Sequence, residues 1–150
     1  MRSNLRGCFP AEPSILIVEA SEINRHLAHH LLTEKGYSAD TVSNGHDAVR
    51  AFMKRRYDLI VMDCRLPDFP QFTAVRAIRL HEDKRTPGSR IPIIGLTAYA
   101  PPGYRERCLR AGMDACYEKP VRDEIIQQII RRWLPTSRFG IPRPAASANP

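Results

Sequence analysis

Four polar residues suited to phosphate chemistry each stand at the end of a short strand-like run. They are Glu19, Asp63, Thr97 and Lys119. Carboxylates hold hard cations such as Mg²⁺, whereas an ammonium group and a hydroxyl bind phosphoryl oxygens. An aspartate can also be the nucleophile that takes up a phosphoryl group. Each residue alone would be an ordinary turn or strand-end residue, so the prediction of a phosphate site depends on the whole set.

The elements that must position this set are short apolar runs alternating with amphipathic stretches. Runs at 14–18, 58–62 and 91–96 are largely apolar, which is typical of strands buried on both faces of a sheet. Weaker strands are predicted at 38–42 and 115–118. The connections are long enough for helices, which favours parallel strands with right-handed crossovers. The pattern predicts an α/β fold with a doubly wound, five-stranded parallel sheet, whose function lies beyond the carboxyl ends of the strands.

Helix predictions come from capping residues and apolar spacing. Ser21 can cap a first helix that ends near Gly36, and a last helix spans about 121–134. The polar stretch 81–90, which contains Pro87-Gly88, is predicted to be a loop. The residues expected to face the core from the helices are Ile23, Leu27, Leu31, Ala48, Val49, Phe52, Phe72, Val75, Ile78, Ile125, Ile126, Ile129, Ile130 and Trp133.

Composition predicts one domain at 14–134, preceded by an N-terminal extension at 1–13. The stretch 135–150 is rich in Pro, Ala and Ser and is predicted to be a disordered tail or linker. No apolar run approaches the roughly 20 residues of a transmembrane helix, and 1–13 lacks the apolar segment of a signal peptide. The 4 cysteines show no C-x-x-C spacing, which suits reduced thiols. We therefore expect a cytoplasmic protein without membrane contact.

The formal net charge of +7 raises the question of a nucleic-acid or acidic protein partner. The basic residues are spread along the chain and form no long Lys/Arg run with interleaved aromatic residues. Binding of nucleic acid or an acidic partner is therefore the least favoured of three candidate functions, and no nucleic acid is expected.

Five groups of residues, in this order and at these spacings, resemble the receiver domains of response regulators, especially those attached to hybrid histidine kinases. They cover about 14–134 and are Ile15-Leu-Ile-Val-Glu19, Glu22-Ile-Asn-Arg25, Tyr57-Asp-Leu-Ile-Val-Met-Asp63-Cys-Arg-Leu-Pro67, Ile93-Ile-Gly-Leu-Thr97-Ala98, and Ala111-Gly-Met-Asp114 with Glu118-Lys119-Pro120. The resemblance implies strand order 2-1-3-4-5 and a two-component signalling domain. It implies no enzyme beyond catalysis of the domain's own phosphotransfer and dephosphorylation.

The resemblance also assigns roles and partners. Asp63 would accept a phosphoryl group from a histidine kinase or histidine phosphotransfer protein, Thr97 would follow that group, and Lys119 would pair with it. Glu19, Asp63 and the backbone carbonyl of Arg65 would hold Mg²⁺. The peptide bond from Lys119 to the next residue, a proline, would be cis. A homodimer could form through the fourth helix, fifth strand and fifth helix.

One departure from the family bears on the metal. Ala20 stands where the family has a second acidic residue that binds Mg²⁺ directly, and alanine cannot be a ligand. Glu22 is an alternative donor. We therefore predict weak Mg²⁺ binding, roughly 10–100-fold below a complete site. Two functions follow: a working phosphoacceptor, or a degenerate receiver that acts as a phosphorylation-independent docking or regulatory module.

Two further departures concern loops and switching. Pro70-Gln71 replaces the usual Asp-Gly of the loop beside the phosphoacceptor, which predicts a stiffened or redirected loop. Cys116 occupies the position of the family's aromatic switch residue. Tyr117 should face the other side of the sheet, because neighbouring strand residues alternate. Tyr99 is then the alternative aromatic partner for the hydroxyl of Thr97.

Overall fold

Five strands alternate with five helices in the residues that the structure, a computed structural model, describes, namely 13–70 and 72–134. The strands are β1 (Ser14–Val18), β2 (Ser38–Val42), β3 (Leu59–Asp63), β4 (Ile93–Thr97) and β5 (Ala115–Glu118). The helices are α1 (Glu22–Glu34), α2 (Gly45–Lys54), α3 (Thr73–Arg85), α4 (Tyr104–Ala111) and α5 (Asp123–Trp133).

All strand pairs are parallel, and the sheet order is β2-β1-β3-β4-β5, as predicted. The register pairs Val18 of β1 with Met62 of β3, and Asp63 with Leu96 of β4. Thr97 of β4 pairs with the end of β5. The carboxyl ends of four neighbouring strands therefore meet along one edge of the sheet, with β3 at the centre.

The central strands are buried on both faces, which explains their apolar sequences. Leu16, Ile60 and Ile93 lie in a cluster on one face together with residues of α2, α3 and α4. Ile15 and Val61 lie in a cluster on the opposite face with residues of α1 and α5. Alternate residues of each strand thus anchor helices on both sides, and the sheet edge is held rigidly between them.

The predicted buried face of α1 is wrong for Ile23 and Leu27, whereas the third predicted residue, Leu31, packs against the core cluster. The side chain of Ser21 accepts a hydrogen bond from the backbone of Asn24, so the capping prediction is confirmed. However, Ile23 is 81% exposed and Leu27 is 40% exposed, whereas Ala28 and Leu32 are buried. The apolar residues of α1 cover a broad part of the helix surface. The side of the helix that carries Ala28 and Leu32 packs against the sheet.

The predicted loop at 81–90 is also wrong in its first half, because α3 continues to Arg85. Glu82 is buried there, and its carboxylate accepts hydrogen bonds from Arg79 at 3.0 Å and from the backbone N–H of Ile91 at 2.5 Å. β4 begins at Ile93 rather than at residue 91. The polar composition of this segment predicted a loop, but the buried ion pair of Arg79 and Glu82 stabilises a helix there.

The last helix agrees with its prediction, although it begins at Asp123, two residues late. Ile126 and Ile129 are buried, and Trp133 packs against the same cluster. The N-terminal extension up to residue 12 and the tail at 135–150 lie outside the described residues. Within the described part of the chain, none of the helices has both the length and the apolar character needed to span a bilayer.

Candidate functional site

The structure brings three of the four candidate side chains into direct contact. Asp63 is the last residue of β3, Glu19 follows β1, and Lys119 follows β5. The Lys119 Nζ atom donates a hydrogen bond to Asp63 Oδ2 at 2.9 Å and forms an ion pair with Glu19 Oε1 at 2.6 Å. The second contact does not have hydrogen-bond geometry. One ammonium group therefore holds two carboxylates together.

Asp63 is fixed from a second side by the chain that follows it. Its Oδ1 atom accepts a hydrogen bond from the backbone N–H of Arg65 at 2.9 Å. Burial raises the pKa of Asp63, and the Glu19 charge acts in the same direction, while the Arg65 N–H and Lys119 oppose the shift. Burial disfavours the Lys119 ammonium, but its contacts with the Glu19 and Asp63 carboxylates outweigh burial and raise the pKa of Lys119. The charges of Asp63 and Lys119 thus depend on each other.

Glu19 is the most enclosed acid of the site. It is only 3% exposed, and its Oε2 atom accepts a hydrogen bond from the Ser21 N–H at 3.0 Å. The guanidinium of Arg25 donates to the backbone carbonyls of Glu19 at 2.9 Å and Ala20 at 3.2 Å. The loop after β1 is therefore held in place by its own helix, with the carboxylate of Glu19 turned toward Lys119.

The hydroxyl of Thr97 does not bond to the other candidate side chains, although the Lys119 N–H donates a hydrogen bond to the Thr97 backbone carbonyl at 2.7 Å. Its hydroxyl donates to the backbone carbonyl of Tyr99 at 2.9 Å and accepts from the Tyr99 N–H at 3.3 Å. Thr97 is buried at the end of β4, whereas Tyr99 is 66% exposed. The hydroxyl is thus tied to its own loop, on the strand next to β3.

The oxygen donors at this edge fit a hard cation. Glu19 and Asp63 supply two carboxylates, and the Arg65 backbone carbonyl follows Asp63 by two residues. Oxygen-only donor sets of this kind suit Mg²⁺, which binds through one or two carboxylates and keeps several waters. Ala20 is exposed and offers no side-chain donor, and Glu22 is exposed on α1, 3.8 Å from His26. The Glu22 alternative therefore has no support from the geometry.

Asp68 is a residue of the site region that the sequence did not suggest. Its carboxylate accepts hydrogen bonds from the backbone N–H groups of Gly45 at 2.8 Å and His46 at 2.9 Å, at the start of α2. Although burial opposes it, these two N–H groups lower the pKa of Asp68. Phe69 packs on the same glycine, where an added Cβ would lie 2.4 Å from the ring. The loop after β3 is thereby fastened to α2.

The β5 residues alternate as predicted. Cys116 lies in the core cluster with α4, whereas Tyr117 packs against the cluster on the other face. Tyr117 therefore cannot occupy the position of the family's aromatic residue. The peptide bond between Lys119 and Pro120 is cis, as predicted. The residue at 71, part of the predicted loop change, lies outside the described residues.

Comparison with known sequences gives a consistent result. A family model described as the response regulator receiver domain matches residues 15–131. Probable histidine kinase 1 of Oryza sativa subsp. indica is 31% identical over 157 residues, covering 85% of this chain and 16% of that protein. Sensor histidine kinase RcsC of Escherichia coli is 34% identical over 116 residues, covering 77% of this chain and 12% of the kinase. The chain thus spans a small part of these relatives.

Solved structures agree with this result. The receiver domain of sensor histidine kinase PA1611 from Pseudomonas aeruginosa is 40% identical, with a TM-score of 0.70 over 82% of this chain and 98% of that chain. That structure contains a magnesium ion coordinated in its active site cleft. A second match comes from the co-crystal structure of the Saccharomyces cerevisiae histidine phosphotransfer protein Ypd1 with the receiver domain of its response regulator Ssk1. It is 26% identical, with a TM-score of 0.76 over 86% of this chain and 93% of that chain.

The family model, the relatives and the sheet order agree over nearly all of the described residues. The family is a signalling domain rather than a conventional enzyme. The chain therefore belongs to the response regulator receiver domain family of two-component signal transduction.

Proposed function

We propose that this domain accepts a phosphoryl group on Asp63 from the phosphohistidine of a histidine kinase or histidine phosphotransfer protein. The observation that carries the proposal is the contact of Lys119 with both Asp63 and Glu19 at the carboxyl edge of the sheet. It places a nucleophilic carboxylate, a second acid and an ammonium group at one point, as phosphoryl transfer to an aspartate requires.

In the proposed reaction a carboxylate oxygen of Asp63 attacks phosphorus, the P–N bond to the donor imidazole breaks, and an acyl phosphate forms. The imidazole nitrogen keeps the bonding electron pair and takes up a proton. Lys119, already bonded to Asp63, pairs with an oxygen of the new phosphoryl group. The hydroxyl of Thr97 breaks its bonds to the Tyr99 backbone and turns toward that group. Later attack of water on phosphorus regenerates Asp63 and releases phosphate.

The residues that would hold Mg²⁺ are Glu19, Asp63 and the Arg65 backbone carbonyl. The ion, when bound, would offset the negative charge of the phosphoryl oxygens. Because Ala20 removes one negative ligand, we propose that Mg²⁺ binds weakly here, roughly 10–100-fold below a complete site. The smaller negative charge also repels the phosphoryl group less, so transfer remains feasible at high Mg²⁺ concentration.

The proposed partners follow from the same reaction. A histidine phosphotransfer protein or kinase domain would dock at the edge where Asp63 lies, as the Ypd1 and Ssk1 pair suggests by analogy. We further propose a cytoplasmic domain that binds neither nucleic acid nor membrane. A homodimer would form through α4, β5 and α5.

A degenerate receiver is the second candidate function, and the observation in its favour is Ala20. In that case the fold would dock or regulate without ever being phosphorylated. Labelling with radioactive acetyl phosphate at saturating Mg²⁺ separates the two functions. The phosphoacceptor predicts base-labile label in the parent and none in an Asp63→Asn variant of equal thermal stability. Absence of label in the parent, or equal label in the variant, would contradict the phosphoacceptor function.

A further inference from the structure

Three buried cysteines from different parts of the chain converge behind the phosphoacceptor edge. Cys64 follows β3, Cys108 lies on α4, and Cys116 lies on β5. Their sulfur atoms all lie within 4.8 Å of one another, and the Cys64 and Cys116 sulfurs are 3.9 Å apart. Within the described residues this is the one group of three or more Cys, His, Asp or Glu side chains placed to share a metal ion.

A glycine provides the space in which the sulfur atoms meet. Gly95 lies on β4, between β3 and β5, and pairs with Cys116 of β5. A Cβ atom added at Gly95 would lie 2.8 Å from the Cys64 sulfur and 2.7 Å from the thioether sulfur of Met113. Met113 is fully buried beside the thiols. The pocket therefore contains three thiols and a thioether, with no side chain on the strand below them.

The backbone spacing argues against a disulfide between Cys64 and Cys116. Met62 and Cys116 both pair with Gly95, so β3 and β5 are separated by a whole strand. Two steps of strand spacing put the Cα atoms of Met62 and Cys116 about 10 Å apart, and Cys64 lies two residues beyond Met62 along the chain. A disulfide requires Cα atoms within about 7 Å of each other. The two sulfur atoms therefore approach each other without forming a covalent bond.

The same distances match a shared metal ion. Three thiolates bound to one ion at about 2.3 Å lie roughly 4 Å from each other. Zinc is almost always four-coordinate in structural sites, and no histidine or carboxylate joins this group among the residues described. Soft thiolate and thioether ligands favour Cu(I), zinc and iron–sulfur clusters, and iron–sulfur clusters are held by four cysteines, so Cu(I) fits a group of three thiols best. We propose that Cys64, Cys108 and Cys116 form a binding site for Cu(I), with Met113 as an additional soft donor.

Charge and access are compatible with this site. Binding displaces protons from the thiols to solvent. The hydrogen bond with Cys116 raises the pKa of Cys64, burial raises the pKa of Cys108, and the hydrogen bond with Cys64 lowers the pKa of Cys116 to about 7, so Cys116 is the thiol that loses its proton most readily. A small cavity lined by Asp63, Cys64 and Met113, among others, lies between the proposed phosphoacceptor and the sulfur atoms. The site is distinct from the oxygen ligands of the proposed Mg²⁺ site and does not depend on phosphorylation.

Anaerobic titration of the reduced full chain with Cu(I), in competition with the chromophoric chelator bicinchoninate, tests the proposal. We expect one equivalent of Cu(I) to be withdrawn from the chelator, and X-ray absorption to show sulfur neighbours only. Cys116→Ala and Cys108→Ala should each weaken binding by more than roughly 100-fold, since even outer-shell changes cost 10–100-fold. Cys8→Ser is the matched control, because Cys8 is the one cysteine that the proposed site does not include, and it should bind normally.

Several results would overturn the site. They are no withdrawal of Cu(I) by the parent, full binding by Cys116→Ala, loss of binding in Cys8→Ser, nitrogen or oxygen neighbours at copper, tighter binding of Zn²⁺ than of Cu(I), or an internal disulfide in the unreduced protein. If both alanine variants fail to fold, the sulfur count at copper in Cys8→Ser decides. Three or four sulfurs support the site, and two or fewer contradict it.

Discussion

The Lys119 Nζ atom lies 2.9 Å from Asp63 Oδ2, and this contact joins the end of β3 to the end of β5 across the intervening strand. Since the same ammonium group also lies 2.6 Å from Glu19, it compensates two carboxylates at once. The ammonium group holds a buried acid and the proposed phosphoacceptor side by side. A cation or a phosphoryl group that enters the site must therefore displace the Lys119 ammonium from these carboxylates or bind beside it.

Replacing Lys119 with Met should lower the free energy of unfolding by about 1–3 kcal/mol at neutral pH, because the carboxylates of Glu19 and Asp63 then have no neighbouring cation. The pKa of Lys119 is raised in the folded protein. Its contribution is therefore fully present below the ordinary lysine pKa of about 10.4 and is lost as the pH rises through the higher folded value. Urea unfolding between neutral and strongly alkaline pH should show the two proteins converging. The exposed Lys54→Met variant serves as control, and a difference that grows with pH would refute the assignment.

Replacing Ala20 with Asp should tighten Mg²⁺ roughly 10–100-fold and accelerate phosphorylation from acetyl phosphate in parallel. The added carboxylate supplies the ligand and the negative charge that the site lacks. Calorimetric titration with Mg²⁺ measures the first effect. Ala20→Asn is the matched control, because asparagine is similar in size to aspartate but carries no charge. Its gain in Mg²⁺ affinity should be much smaller. Equal Mg²⁺ affinity in the parent and in Ala20→Asp would show that another group already fills the gap.

The Asp68 contact with α2 predicts a local change. Asp68→Ala removes the acceptor of two N–H groups at the helix start and should cost about 1 kcal/mol of stability, as loss of a helix cap does. Because the folded pKa of Asp68 is lowered, the advantage of the parent should disappear as the pH falls below the ordinary aspartate range. Thermal unfolding across acidic pH measures this. Asp83→Ala, an exposed acid on α3, provides the comparison, and equal losses in both variants would count against the capping role.

The sequence and the structure differ where contacts are distant along the chain. The strands were predictable because strands buried on both faces need apolar runs, and the edge position of Asp63 followed from its place after such a run. Glu82 was not predictable as a buried helical residue, since its partner N–H belongs to Ile91. Asp68 was missed for the same reason, because it caps a helix that begins 23 residues earlier. Local patterns specify elements and their order but not these long-range polar contacts.

The stretch 135–150 gives a prediction from sequence alone. It lacks the apolar periodicity of a packed element, so truncation after Leu134 should change the free energy of unfolding by less than about 2 kcal/mol. Leu134 must be retained, because it is buried in the cluster beneath α5. Denaturant unfolding of the full and shortened chains measures the difference. A larger loss would show that the tail packs on the domain.

The most direct test of the phosphoacceptor account is the binding of beryllofluoride, a stable mimic of the phosphoryl group, followed by fluorine NMR as Mg²⁺ is raised. The account predicts a saturable bound signal in the parent, reached at higher Mg²⁺ than in Ala20→Asp and absent in Asp63→Asn. No bound signal in the parent at any Mg²⁺ concentration, or an equal signal in Asp63→Asn, would contradict it.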